Sequence, residues 1–183
     1  MQTSTGRPGH PRGIALVTTA LLVLAVIMFP GPAMAYVKTG CYWPNSPVTW
    51  NRAVTGNYAT AANAAAASWS SSTDIDMTMS YASNLKASSK NKGADGYDGY
   101  AVWNCPILNV SISAEWWFNT HYTSGMAVNK LKAIAVHEFG HTLGLNHVTM
   151  NMQMMYNCPA CVYNNFGYYT PQSDDKAGMN SIY

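Results

Sequence analysis

The chain predicts an α+β domain, and three stretches carry that expectation. Residues 57–70 are rich in alanine, the best helix former, and end near Trp69. Residues 126–143 place apolar side chains at Leu131, Ile134, Ala135, Val136 and Phe139, which predicts a second, longer helix. Between them, residues 74–81 (D-I-D-M-T-M-S-Y) alternate at period two, the pattern of a strand with one buried face.

Taken in order, the first 35 residues predict a secretory leader. Arg7 and Arg12 give a positive start, and residues 14–29 form an uncharged, mostly apolar run. Pro30, Gly31 and Pro32 break any helix, and Ala33-Met34-Ala35 is an A-x-A cleavage site. A spanning helix needs about 20 apolar residues, so a membrane anchor is the weaker reading. Cleavage after Ala35 is expected, leaving a domain of residues 36–183. That portion carries eight Lys and Arg against eight Asp and Glu. The formal +2 therefore belongs to the leader, and no basic patch argues for nucleic acid. A single domain, active as a monomer, suits this length.

Residues 48–54, with Val, Thr and Trp partly alternating, predict the first strand and precede the alanine-rich helix. In residues 74–81, Ile75, Met77, Met79 and Tyr81 would share one face. Residues 86–98 are polar and contain glycine, which predicts a surface loop, and residues 100–104 and 108–113 predict two further strands. After the long helix, residues 148–169 look irregular. Thr170-Pro171 then opens a last helix, threonine at N-cap and proline at N1, with Asp174 and Asp175 in its early turns. No internal repeat is present. Four cysteines, Cys41, Cys105, Cys158 and Cys161, predict two disulfides in an exported protein. Three connectivities are possible, and Cys41–Cys105 with Cys158–Cys161 is favoured.

The chemistry lies in His137-Glu138-Phe139-Gly140-His141-Thr142-Leu143-Gly144-Leu145-Asn146-His147. On a helix, His137 and His141 share a face one turn apart and can grip one ion. Gly144 lets the chain leave the helix and bring His147 round as a third ligand. Three protein ligands leave a fourth position open for water, the layout of a catalytic zinc site, and Glu138 stands beside it as general base. Histidines satisfied by ordinary hydrogen bonds would be the bland account. Five specific residues in register outweigh it.

These residues resemble the matrixins, the metzincin family of the matrix metalloproteinase catalytic domain. Beyond the zinc motif, Met155-Tyr156 falls where matrixins place their Met-turn. Residues 173–183 (S-D-D-K-A-G-M-N-S-I-Y) resemble the family's closing helix, and Tyr36-Val37-Lys38-Thr39-Gly40 with Trp43 and Val48-Thr49-Trp50 its mature N-terminus. The resemblance implies a zincin-like fold, a twisted and mostly parallel sheet on the active-site helix with a helix closing the chain. It implies His137, His141 and His147 as zinc ligands, Glu138 as general base and later acid, and Met155 as the floor beneath the metal. The alternative register puts Met154 in that turn, with Tyr156 able to reach zinc. It also implies an ammonium at Tyr36 pairing with Asp174. Three features depart from the family. No prodomain cysteine lies between leader and domain. His121 is the one histidine of residues 36–183 outside the motif, too few for a second zinc. Residues 157–161 (N-C-P-A-C) replace the Pro-x-Tyr wall of the specificity pocket. Asp95 and Asp98 could offer Ca2+ a weak oxygen site, though a plain turn is the stronger reading.

The function expected is that of a secreted zinc endopeptidase acting on proteins or peptides, which pair with an edge strand such as residues 100–104. Membranes are not partners once the leader is removed. The rival readings are a catalytically idle zinc fold for adhesion or inhibition, which would not need Glu138, and a polysaccharide-binding module suggested by Trp103, Trp116, Trp117 and the tyrosines.

Overall fold

The structure is a computed structural model and describes residues 35–183; the leader expected before them lies outside the described residues. In chain order the elements are β1 (Val37–Lys38), β2 (Val48–Arg52), α1 (Gly56–Ser72), β3 (Met77–Met79), β4 (Leu85–Lys90), β5 (Gly99–Asn104), β6 (Ser113–Asn119), α2 (Thr120–Thr123), α3 (Val128–Thr142), β7 (Leu145–Asn146), α4 (Pro159–Phe166) and α5 (Ser173–Asn180). Five strands form one sheet in the order β3-β2-β4-β6-β5. The first three pairings are parallel, and β5 closes the edge antiparallel to β6. This is the α+β fold the sequence predicts, with its mostly parallel sheet packed on the motif-bearing helix.

One face of the sheet buries the core. Leu85, Trp116 and Phe118 from the strands meet Trp69 of α1 and Ile134 and Phe139 of α3. The alanine run has a packing reason. Ala61, Ala62 and Ala65 are fully buried, and side chains this small let α1 lie close against α3. Trp69 fills the end of that seam, its Nε1 donating to the Val136 carbonyl at 3.1 Å. Phe139 takes Trp50 and Trp116 edge-on at centroid distances of 5.1 and 4.9 Å.

Both disulfides pair as favoured, Cys41 with Cys105 and Cys158 with Cys161. Several expected elements differ. Residues 86–98 are not all loop, because β4 is a central strand. It turns Leu85 and Ala87 to the core and Lys86 and Lys90 outward, both onto Glu115. Residues 108–113 are not a strand. Leu108 and Asn109 take left-handed φ of 52° and 61°, and the strand begins at Ser113. In residues 74–81 only β3 is strand. Ile75 and Met77 are buried while Met79 and Tyr81 are exposed, so the shared face stops halfway. Residues 148–169 contain α4. The last helix starts at Ser173 with Gln172 as N-cap, its side chain and that of Asp175 forming a reciprocal capping box, so Thr170 and Pro171 precede it.

Candidate active site

Helix α3 carries His137 and His141 one turn apart and ends at Thr142. Gly144 follows at φ 114°, and a Cβ there would strike the Cys41 carbonyl oxygen, so both conformation and space demand glycine. The turn returns the chain as β7, and His147 then faces the helix. The three Nε2 atoms converge: His137 to His147 is 3.2 Å, His141 to His137 3.1 Å and His141 to His147 3.0 Å.

The other ring nitrogens explain what the convergence is for. His137 Nδ1 lies 2.6 Å from the Met154 carbonyl oxygen, and His141 Nδ1 lies 2.9 Å from that of Leu145. A carbonyl only accepts, so each Nδ1 carries the proton and each Nε2 is a bare lone pair. Lone pairs aimed at one point repel unless a cation sits among them. Nitrogens about 2.0–2.1 Å from a tetrahedral zinc stand roughly 3.3 Å apart, close to the spacing seen. The three histidines are the metal-capable cluster among the described residues, and they fit the ion. Burial lowers the basicity of all three. His137 falls well below the ordinary histidine range through burial and then the neighbouring His141, and His141 falls to about 4, chiefly through burial. His147, the exposed member, is lowered less deeply, also by burial.

Glu138 is buried beside the triad, and its Oε1 would lie 2.7 Å from a Cβ placed on Gly99 of the edge strand. Burial, helped by the nearby Asp98 carboxylate, raises its pKa to about 8. Asp98 is itself raised by burial, offset by Lys130. Glu138, the triad, Asp98 and Gly99 line one cavity of about 430 Å³. Trp103 forms part of its wall, stacked on His141 with centroids 6.0 Å apart, and Asn157, Cys158 and Pro159 form another part.

Met155 lies beneath α3, where a Cβ on Gly140 would strike its sulfur; Met154 contributes its carbonyl to His137 instead. Tyr156 bridges to Val148 and is not among the residues lining the cavity. The Met154-Met155 turn is pinned by a residue whose part no motif announced. The Asp175 carboxylate accepts from Met154 N at 2.8 Å and Met155 N at 3.0 Å, and caps its own helix through Gln172 N at 2.8 Å. Only the tertiary fold brings α5 to that turn. Gly99 was likewise invisible as a site residue, since its place depends on where β5 crosses α3; Asp98 reads in the sequence only as a weak Ca2+ oxygen, while Trp103 lies in the strand expected to meet substrate. Trp116 is core, and Trp117 stacks on Tyr100 with Lys90 over its face. His121 is exposed on α2. Asp95 forms a turn, its Oδ1 accepting from Tyr97 N at 3.0 Å. Asp174 is buried, and the nitrogen meeting its Oδ1 at 2.9 Å is that of Ala35, one residue before the Tyr36 expected there. The β1–β7 register sets this offset, pairing Val37 with Asn146 while the Tyr36 side chain sits against Gly178.

Fold and site together define a zinc metalloprotease domain. The family follows from the sequence: the matrixin family model matches residues 61–183, and the chain belongs to the matrixins. Among solved structures, a chain of the "GM1 bound form of the ECX AB5 holotoxin" is similar in fold, with TM-score 0.51 and 14% identity over 74% of this chain and 79% of that one. The crystal structure of myroilysin gives a TM-score of 0.43 and 17% identity over 79% of this chain and 69% of that one.

Proposed function

We propose that the protein is a secreted endopeptidase in which His137, His141 and His147 hold one zinc ion and Glu138 is the general base and acid. The observation that carries this reading is the Glu138 carboxyl, buried in the cleft beside three converging imidazole nitrogens and against the backbone of the sheet's edge strand. Zinc, when bound, supplies Lewis acidity, lowering the pKa of water toward about 7 and polarising a carbonyl. The protein's own groups do the rest. His137 and His141 are oriented by the carbonyls behind them, as ligating histidines usually are. Glu138 takes a proton from water and returns it to the leaving amine. Burial raises its pKa, and a cation nearby favours the carboxylate that a base must be. Strand β5 offers its unpaired edge to an extended peptide. Met155 floors the triad from beneath α3.

Two disulfides and the leader-like first 35 residues support export. At the start of the described domain, the Asp174 carboxylate meets the Ala35 nitrogen, so an N-terminal ion pair there calls for a chain that begins at Ala35, one residue before the end left by the expected cleavage after Ala35.

The test is cleavage of casein or gelatin by the purified domain, with and without chelator, alongside Glu138→Ala. Activity should vanish with chelation and return with zinc. Glu138→Ala should retain zinc and lose about 10²–10⁴-fold in turnover, the usual worth of a general base. A parent that binds zinc and cleaves nothing would leave the idle-fold reading standing.

A further inference from the structure

Residues 91–98 connect β4 to β5, and from Gly96 to Asp98 they line the cleft, leading into Gly99. The segment is polar and turns through two left-handed glycines, Gly93 at φ 69° and Gly96 at φ 91°. Two side chains outside it hold it in order: the Tyr122 hydroxyl accepts from Gly96 N at 2.9 Å, and Asn119 supplies the larger share. Asn119, the last residue of β6, is 1% exposed. Its Nδ2 donates to the Gly93 carbonyl at 3.0 Å and to Asp95 Oδ1 at 2.8 Å. Its Oδ1 accepts from Lys92 N and His121 N, both at 3.1 Å. An amide has two donor hydrogens and two lone pairs, so all four are used. The Asn119 backbone N–H also holds the Asp98 carbonyl at 2.8 Å, and its carbonyl takes Thr123 Oγ1 at 2.9 Å.

Two oxygens therefore converge on the Asn119 NH2 group, one from a carbonyl and one from a carboxylate. Carbonyl and carboxylate oxygens are also the ligands that a hard cation such as Ca2+ takes, about six to eight at a time. We propose that Asn119 is a positioning residue: its amide does for residues 91–98 what a bound cation would otherwise do, and thereby fixes the Asp98–Gly99 wall and the start of the substrate-pairing edge β5. The inference rests on the proteolytic reading only for its effect on the cleft. Its effect on the segment stands apart from activity.

Asn119→Asp is the informative change, because it keeps the shape and replaces the donor with an oxygen. A carboxylate would then face the Gly93 carbonyl and the Asp95 carboxylate, a repulsive set that millimolar Ca2+ can relieve. In calcium-free, zinc-supplemented buffer this variant should melt lower than the parent and be nicked by trypsin at Lys92, and Ca2+ should reverse both. Neither readout needs the protein's own activity. For cleavage, KM should rise about tenfold, the equivalent of about 1.4 kcal/mol and the size of one or two lost hydrogen bonds, with a smaller fall in kcat because Gly99 of the loosened wall packs on Glu138. Ca2+ should restore KM. Asn119→Ala should show the same loosening with no response to Ca2+. The parent should be indifferent to Ca2+ throughout. A parent whose melting requires Ca2+, an Asn119→Asp variant as stable and as protected as the parent without Ca2+, or a fall in kcat at unchanged KM would each overturn the proposal. A parent without proteolytic activity would instead sink the protease reading and leave the melting and nicking results to decide this one.

Discussion

In the proposed zinc site, His137 and His141 show how much a ligand would owe to the atom behind it. Their Nδ1 protons are committed to carbonyls, and burial resists protonating Nε2. Protons compete with zinc only when the free imidazole can bind them. An ordinary histidine, with a pKa near 6.5, begins to lose that competition just below neutrality. Here the lowered values delay it, so zinc affinity should begin to fall at a lower pH than three ordinary histidines would give, His141 holding out until nearer its value of about 4. Competition titrations across pH 5–8 would show this. A slope of two or three protons per ion setting in at pH 6.5 would mean that the imidazoles titrate as if in water. Asp175 acts one step further back. Replacing it with alanine leaves the Met154 and Met155 amides without their acceptor, at a cost of about 1–3 kcal/mol for each one stranded from water. Urea denaturation should register the loss. A midpoint shift corresponding to under about 0.5 kcal/mol would mean that water fills the gap.

Among the elements, the meeting of β5 with α3 decides whether the site works. Gly99 lies on β5, and a Cβ there would come within 2.7 Å of Glu138 Oε1 and 2.9 Å of Ile134 Cγ2. Gly99→Ala should leave zinc content and fold nearly intact and lower kcat by roughly 10²-fold, since displacing a catalytic group by about 1 Å can cost that much. Unchanged kcat would show that Glu138 swings aside freely. This contact marks the limit of what the sequence discloses. Helices α1 and α3 were legible because alanine content and 3.6-residue spacing are local signals, and so was the motif, because its histidines sit on one helix and the turn after it; the short helices α2 and α4 carry no such signal. Strand β4 was not, since Lys86, Ser88 and Lys90 read as loop residues until Glu115 on the next strand gives them a partner. Strand β6 was missed for the opposite reason. Its core positions, Ala114, Trp116 and Phe118, alternate with outward Glu115 and Trp117, and bulky residues on both faces blur the period of two. Gly99, Asp98 and Asp175 join the site only through sheet order and helix docking, which no short window of sequence contains.

At the scale of the whole molecule, the two ends of the described chain lock the third histidine in place. Strand β1 pairs with β7 immediately before His147, Thr39 N donates to the Gly144 carbonyl at 2.8 Å, and Lys38 Nζ reaches the Ser181 carbonyl beyond α5 at 2.8 Å. What fastens this arrangement is Asp174, a buried carboxylate with Oδ1 on the Ala35 nitrogen and Oδ2 without a partner among the described residues. A carboxylate buried with so little compensation is costly, and an ammonium on that nitrogen would supply the missing charge and further donors. The prediction follows from atom position. Protein beginning at Ala35 should be more stable than protein beginning at Met34, which offers only an amide there, by about 1.5–3 kcal/mol, the usual worth of a hydrogen bond to a charged group. Protein beginning at Tyr36 should fall short as well, because its ammonium starts one residue, about 3.8 Å of chain, too late. Thermal melts of the three forms, each also carrying Asp174→Asn, would decide. The substitution should erase the advantage of the Ala35 form and scarcely affect the other two. Three equal melting temperatures would reduce Asp174 to a helix-dipole partner worth about 0.3–1 kcal/mol. A maximum at Tyr36 would mean that the N-terminal strand slides by one residue when the ammonium is freed, exchanging its β7 register for the ion pair.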